Sequence, residues 1–246
     1  MPNFRFTLEY DGCAFEGWQR QGAGHRTVQG ELEAALGRIT GSACPLVGAG
    51  RTDAGVHAEG QVASGRCETR LAAHELRRAL NAVLPRDLAV VALEEAPDAF
   101  HARRDARVKL YRYAVWNGAV RSPLRERTHH RLAGPLDLAA MQAAAQPLVG
   151  THDFAAFQAA GSRVATTVRT LRRLDVEGCA GGEVLFWVEG TGFLRHMVRN
   201  LVGTLLEAGR GRRDAAGVAA VLAGRARARA GPTAPAKGLT LVRIDY

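Results

Sequence analysis

The chain is poor in cysteine and lysine, and it contains no long apolar run. Cys13, Cys44, Cys67 and Cys179 stand far apart with no C-x-x-C pair. Neither a disulfide framework nor a zinc knuckle is signalled, and reduced structural thiols are expected. No stretch reaches the roughly 18 consecutive apolar residues of a membrane span. The opening MPNFRFTLEYDG lacks the basic-then-apolar order of a secretory leader, so a chain that stays in the cytoplasm, away from membranes, is expected. Phosphate-binding loops are missing too. No G-x-x-x-x-G-K-[ST] occurs, and the run that begins Gly48-Ala49-Gly50 carries Asp53 where a dinucleotide fingerprint needs its third glycine.

What is present is a large cationic excess. The 246 residues are 47% hydrophobic and carry a formal net charge of +9, with lysine only at Lys109 and Lys237. That length and hydrophobicity suffice for one large domain or two small ones with a buried core. A GC-rich coding sequence would explain arginine in place of lysine, but not the net excess. Guanidinium groups offer planar donor forks to phosphate oxygens and stack on bases, so the composition points to nucleic acid as the partner.

Hydrophobic periodicity gives the organisation. FRFTLEY alternates, with Phe4, Phe6, Leu8 and Tyr10 on one face of a strand. TVQGELEAALGRITG repeats Val28, Leu32, Ala35, Leu36 and Ile39 at helical spacing, with Thr27 to cap the start and Gly41 to end it. Short strands are expected near 45–48 and 58–65, then a helix over LAAHELRRALNAVL with the stripe Leu76, Leu80, Val83 and Leu84, then a strand over LAVVALEEA. The order is β-α-β-β-α-β, the split βαβ pattern. The second half repeats it: a strand at ARVKLYRYAVWNG, a helix at LDLAAMQAAAQ, strands at TTVRTLRRLDVEG and EVLFWVEG, a long helix at FLRHMVRNLVGTLLEAG and a closing strand at GLTLVRIDY, with DAAGVAAVLAG inserted as a short helix. An α+β protein of two similar halves is expected, 1–104 and 105–246, joined through the basic stretch FHARRDARVK.

Three stretches carry chemistry. In LVGAGRTDAGVHAEGQVA a lone carboxylate, Asp53, lies two residues after Arg51 and four before His57. Asp53 and His57 lack an evident third ligand, so no metal site is expected. An acid held ionised by Arg51 and a second arginine serves as nucleophile or general base; an Asp that only closes a turn is the structural alternative. In the strand VKLYRYAVWN, Lys109, Tyr111 and Tyr113 share a face, the cationic and aromatic combination that holds an unstacked nucleotide. Core tyrosines with bonded hydroxyls are the competing reading. In the long helix, Arg195 and Arg199 fall one turn apart at the edge of the apolar stripe. Either one is a candidate partner for Asp53, unless both snorkel to water.

Taken together, YDGCAFEGWQRQ, TVQGELEAAL, GAGRTDAGVHAEGQVA, FHARRDA, YRYAVWN, GTHDFAAF, GTGFLRHMVRNLVGTLLEAGRG and GPTAPAKGLTLVRIDY resemble the tRNA pseudouridine synthase A family across essentially the whole chain. The resemblance maps the family's catalytic aspartate onto Asp53, its active-site tyrosine onto Tyr111 and its active-site arginine onto Arg199. It implies two similar RRM-like or ferredoxin-like halves with their sheets flanking a central active-site cleft. It further implies a homodimer on whose two subunits one tRNA rests, no cofactor, and isomerisation of uridines 38, 39 and 40 in the anticodon stem-loop. The target base must be flipped out, with Arg51 filling the vacated space or holding a phosphate, and with Gly48, Gly50 and Gly55 letting the backbone approach the nucleotide. Tyr111, Arg51, Arg103, Lys109 and Arg195 are the expected substrate contacts. The residue types accommodate attack by Asp53 at C6 of the ring and action at the ribose alike.

Rival readings differ in what they release or require. An RNA glycosylase would liberate free uracil. A non-catalytic RNA-binding protein of two RRM-like halves would carry RNP-type aromatic motifs, which YRYAVWN matches poorly. An assembly protein with a structural Asp53 would leave every RNA chemically unchanged.

Overall fold

In the computed structural model, which describes residues 1–22, 24–162 and 164–246, the first strand, β1 (Asn3–Tyr10), follows its alternation. Phe4, Phe6, Leu8 and Tyr10 share one buried face. The first helix, α1 (Val28–Thr40), starts and stops as its sequence dictates: the Thr27 side chain accepts from the Gly30 N–H, and Gly41 ends the helix at φ 73°. Next come β2 (Val47–Gly48), β3 (His57–Arg66), α2 (Ala73–Val83) and β4 (Leu88–Ala96). The α2 stripe is shorter than expected. Leu76 and Leu80 are buried, but Val83 at the helix end is exposed.

Contact clustering divides the chain into two compact units, Met1–Arg107 with Thr240–Tyr246, and Val108–Leu239. In the first, β1 pairs antiparallel with both β3 and β4. One edge of β3 is shared. β2 takes its far end at Ser64 and Ala63, and the last strand, β10 (Leu239–Asp245), takes His57 and Ala58 in parallel. Because β2 pairs over two residues only, the connection 49–56 leaves the sheet as a loop. The closing strand, expected to complete the second half of the repeat, thus lies almost wholly in the first unit. Its local alternation identifies a strand but cannot specify which edge it joins.

The second unit is an antiparallel run of β5 (Val108–Trp116), β9 (Glu183–Gly190), β8 (Val168–Cys179) and β7 (Gly150–Asp153), each paired with the next. The two-residue β6 (His130–Arg131) adds in parallel to β5. Three helices belong to it: α3 (Leu138–Ala145), α4 (Met197–Gly209) and α5 (Ala215–Gly224). The short strands β6 and β7 carry too few residues for a periodic signal. The four cysteines are free thiols, with Cys44 and Cys67 buried.

The entry to α1 is tied to β4 by charge. Arg26 forks onto both carboxylate oxygens of Asp87 at 2.8 Å, while its guanidinium lies 4.3 Å from the centroid of Phe15. The Arg26 bonds hold the Asp87 carboxyl below its ordinary range. The pair therefore contributes stability above the carboxylate's unfolded pKa and loses it as pH falls through the lower folded value. Asp87→Asn should cost about 1 kcal/mol at neutral pH. In urea titrations, the gap between the two proteins should close as the pH drops below about 4.

Candidate active site

Asp53 is presented by a turn whose bonds belong to the main chain. The Val56 N–H donates to the Asp53 carbonyl at 3.2 Å, and Gly55 stands at the third position with φ 78°, where such a turn needs a residue without a β-carbon. Neighbouring backbone holds both sides of it. The Gly55 N–H donates to the Phe15 carbonyl and the Trp18 N–H to the Thr52 carbonyl. The segment 11–18 reaches the turn because Gly12 has no side chain: a β-carbon there would lie 2.0 Å from the Val56 carbonyl oxygen. The residue before Asp53 is anchored as well. The Thr52 hydroxyl lies 2.8 Å from the Tyr10 hydroxyl, and Gln61 donates to Tyr10 and to the Gly50 carbonyl. Burial pushes Tyr10 up to about 12, so it is a neutral prop.

The glycines of this loop serve the protein's own packing more than was expected. A β-carbon on Gly48 would meet the Trp18 ring at 2.4 Å, and the Gly50 carbonyl is taken by Gln61. Asp53 itself is half-buried, whereas Arg51 is exposed. The Arg51 Nε donates to Gln19 Oε1 at 3.1 Å. Arg103 stands on a separate turn, also exposed, its backbone N–H on His101 Nδ1. Asp11, Cys13 and His57, rather than Asp53 and His57, bring possible ligand atoms within 4.8 Å of one another. Two of them are engaged in the turn: His57 Nδ1 accepts from the Gly12 N–H and an Asp11 oxygen from the Cys13 N–H.

In the second unit, β5 carries Lys109, half-buried, and Tyr111, 7% exposed. The Tyr111 ring meets Phe193 edge to face, with centroids 5.1 Å apart. Tyr113, expected beside Tyr111 as part of a stacking face, is instead a core residue. It is fully buried, its hydroxyl donates to the Pro235 carbonyl at 2.9 Å, and burial pushes its pKa up.

The two arginines of the long helix part company. α4 begins at Met197 rather than Phe193, because His196 adopts a left-handed conformation at φ 60°. Arg195 is consequently off the helix and exposed, so the one-turn spacing is broken. Arg199 lies within α4, half-buried, and exchanges bonds with Ala234: its Nε donates to the Ala234 carbonyl at 2.8 Å, and its own carbonyl accepts from the Ala234 N–H.

Sequence reading missed the residue that holds the segment 231–235, a strap across α4, in place: Asn200. Fully buried, Asn200 donates to the Phe157 carbonyl and accepts from Arg227 Nη2 and from the Thr233 hydroxyl. A lone amide inside the apolar stripe of LRHMVRNLVGTLL was the available signal. The strap lies so close to α4 that a β-carbon on Gly203 would stand 1.8 Å from the Pro232 carbonyl oxygen.

The fold is of the α+β class, with a carboxylate on a tight turn in the first unit and a buried tyrosine on β5 in the second. A family model described as tRNA pseudouridine synthase matches residues 7–105 and 144–246. The tRNA pseudouridine synthase A of Myxococcus xanthus is 50% identical over 246 residues, covering 100% of this chain and 92% of that protein. Those of Moorella thermoacetica and Brevibacillus brevis are 48% and 46% identical, with 100% of both chains covered. The chain belongs to the tRNA pseudouridine synthase family and is an isomerase of tRNA uridines. Asp53, Arg51, Arg103, Arg195 and Arg199 fall inside the matched segments, while Lys109 and Tyr111 fall between them.

Asn200→Ala would take an acceptor from Arg227 Nη2 and from the Thr233 hydroxyl, and the donor from the Phe157 carbonyl, in one step. A loss of about 3 kcal/mol in unfolding free energy is expected, measured by denaturant titration.

Proposed function

We propose that the chain converts uridine to pseudouridine at positions 38, 39 and 40 of the tRNA anticodon stem-loop. Asp53 acts as nucleophile or base, and Tyr111 and Arg199 complete the catalytic set. Residues 1–104 supply the carboxylate and residues 105–246 the tyrosine and arginine. The observation that carries this reading is the turn at Asp53, which presents a half-buried carboxylate while the neighbouring segment grips the Thr52 carbonyl and the Gly55 N–H on either side of it.

The reaction breaks N1–C1′, turns the uracil and joins C5 to C1′; the C5 hydrogen leaves as a proton and N1 takes one up. Nothing is added or removed overall, so the balance calls for neither cofactor nor metal. Asp53 supplies the charge, Tyr111 a ring for the extruded base and a hydroxyl for proton transfer, and Arg199 a cation for the carboxylate. Arg51, Arg103, Lys109 and Arg195 contact the substrate, Arg51 filling the gap the base leaves or holding a phosphate. A homodimer working in the cytoplasm accords with this reading. Among the described residues no helix is long and apolar enough to cross a membrane.

The test is release of tritium from tRNA labelled at uridine C5, since the new carbon–carbon bond expels that hydrogen. Wild-type protein should release it without liberating uracil; no release with any uridine-containing tRNA, or free uracil, overturns the proposal. Asp53→Asn should bind tRNA nearly as tightly as wild type and release nothing, because the amide keeps the shape of the turn and loses the charge.

Tyr111→Phe separates ring from hydroxyl. Affinity for tRNA should be retained while the rate falls on the order of 100-fold, read in single-turnover kinetics. Full turnover would leave Tyr111 as a stacking platform alone.

A further inference from the structure

The second unit contains a recess of about 220 Å³ that the synthase reading does not use. It is lined by His130 of β6, by Glu207 and Arg210 of the α4 end, by Arg212, and by Thr233 and Pro235 of the strap. At about 30 Å³ per water molecule in the liquid, the space suits a phosphate group and several waters.

Its charge is positive on balance, and the negative elements are already spent. Glu207 is paired with Arg213 at 2.9 Å. The last carbonyls of α4, which would repel an anion, are consumed: Leu206 accepts from the Arg210 N–H, Glu207 from Arg212, Ala208 from Gly211 and Gly209 from Asp137. The side chains of Arg210 and Arg212, by contrast, make no hydrogen bond or ion pair among the described residues. Burial, Lys237 and Arg210 together lower the pKa of His130, the response of an imidazole in a field that is already cationic.

We propose that this recess seats a backbone phosphate of the substrate RNA between Arg210 and Arg212. The proposal rests on the synthase reading for the identity of the RNA. It places an anchor directly behind the strap, because Ala234, whose carbonyl holds Arg199, also lines the recess. Guanidinium groups without carboxylate partners are the side chains that exchange bound counterions for phosphate most favourably, and each phosphate neutralised steepens the salt dependence of binding by about one unit.

The experiment compares wild type, R210Q/R212Q, and R77Q/R78Q, in which the same charge is removed from exposed positions of α2. Affinity for tRNA is measured over a series of salt concentrations, and tritium release is measured on the same wild-type preparation. R210Q/R212Q should bind more weakly at low salt, with a log–log slope shallower by about one, and R77Q/R78Q should keep the wild-type slope. Equal slopes in all three proteins, or equal losses in both variants, overturn the seat. So does calorimetric binding of inorganic phosphate or UMP that is abolished in R210Q/R212Q while the tRNA slope is unchanged, because the recess would then serve a small phosphate. Failure of the wild type to release tritium overturns the synthase reading instead.

Discussion

The Asp53 turn depends on one constraint: two stretches of backbone lie closer together than a β-carbon allows. Gly12 presses on Val56, and through that approach the segment 11–18 delivers the carbonyl of Phe15 and the N–H of Trp18 to either side of Asp53. Here main-chain bonds close the turn and grip its flanks. The backbone on both sides of the carboxylate is thereby fixed before any ligand arrives.

The second unit solves the corresponding problem for a cation with a buried polar hub. A guanidinium at the border of a core loses hydration, and it needs a fixed acceptor to remain there. Ala234 supplies that acceptor only if the strap 231–235 stays on α4. Asn200 keeps it there through Thr233 and Arg227, and the bare Cα of Gly203 lets the Pro232 carbonyl in. Such a network is worth its desolvation cost because every member has a partner. The same economy explains Tyr113, which a strand pattern alone offers to a ligand but which the Pro235 carbonyl claims for the strap.

Local order was legible in the sequence wherever one element's period decided it. The alternation of Phe4, Phe6, Leu8 and Tyr10 and the caps at Thr27 and Gly41 express sterics and hydrogen bonding within a few residues, and the structure repeats them. The Asp53 turn was legible for the same reason, since an Asp-Ala-Gly-Val run states its turn chemistry directly. What escaped was set by distant partners. The edge that β10 joins, the start of α4 at Met197 and the burial of Tyr113 depend on strands and carbonyls far off in sequence. Asn200 escaped for a related reason: its three side-chain bonds come from three separate segments, and a helical stripe shows none of them.

The net charge of +9 also reads differently once partners are assigned. Many arginines are neutralised at short range: Arg26 by Asp87, Arg213 by Glu207, and Arg173 by Asp175 on the same strand. These pairs hold structure and add little to a field felt by RNA, because each is a dipole that the solvent screens within about 10 Å at moderate salt. The field comes from the cations left over. Each unit has some, Arg103 in the first and Arg210 with Arg212 in the second, and these are the groups able to exchange a counterion for a phosphate without first breaking an ion pair. Cations left without a carboxylate are the ones that can draw in a polyanion. Like-signed groups of the protein and of a polyanion come together more readily where unpaired cations lower the potential between them.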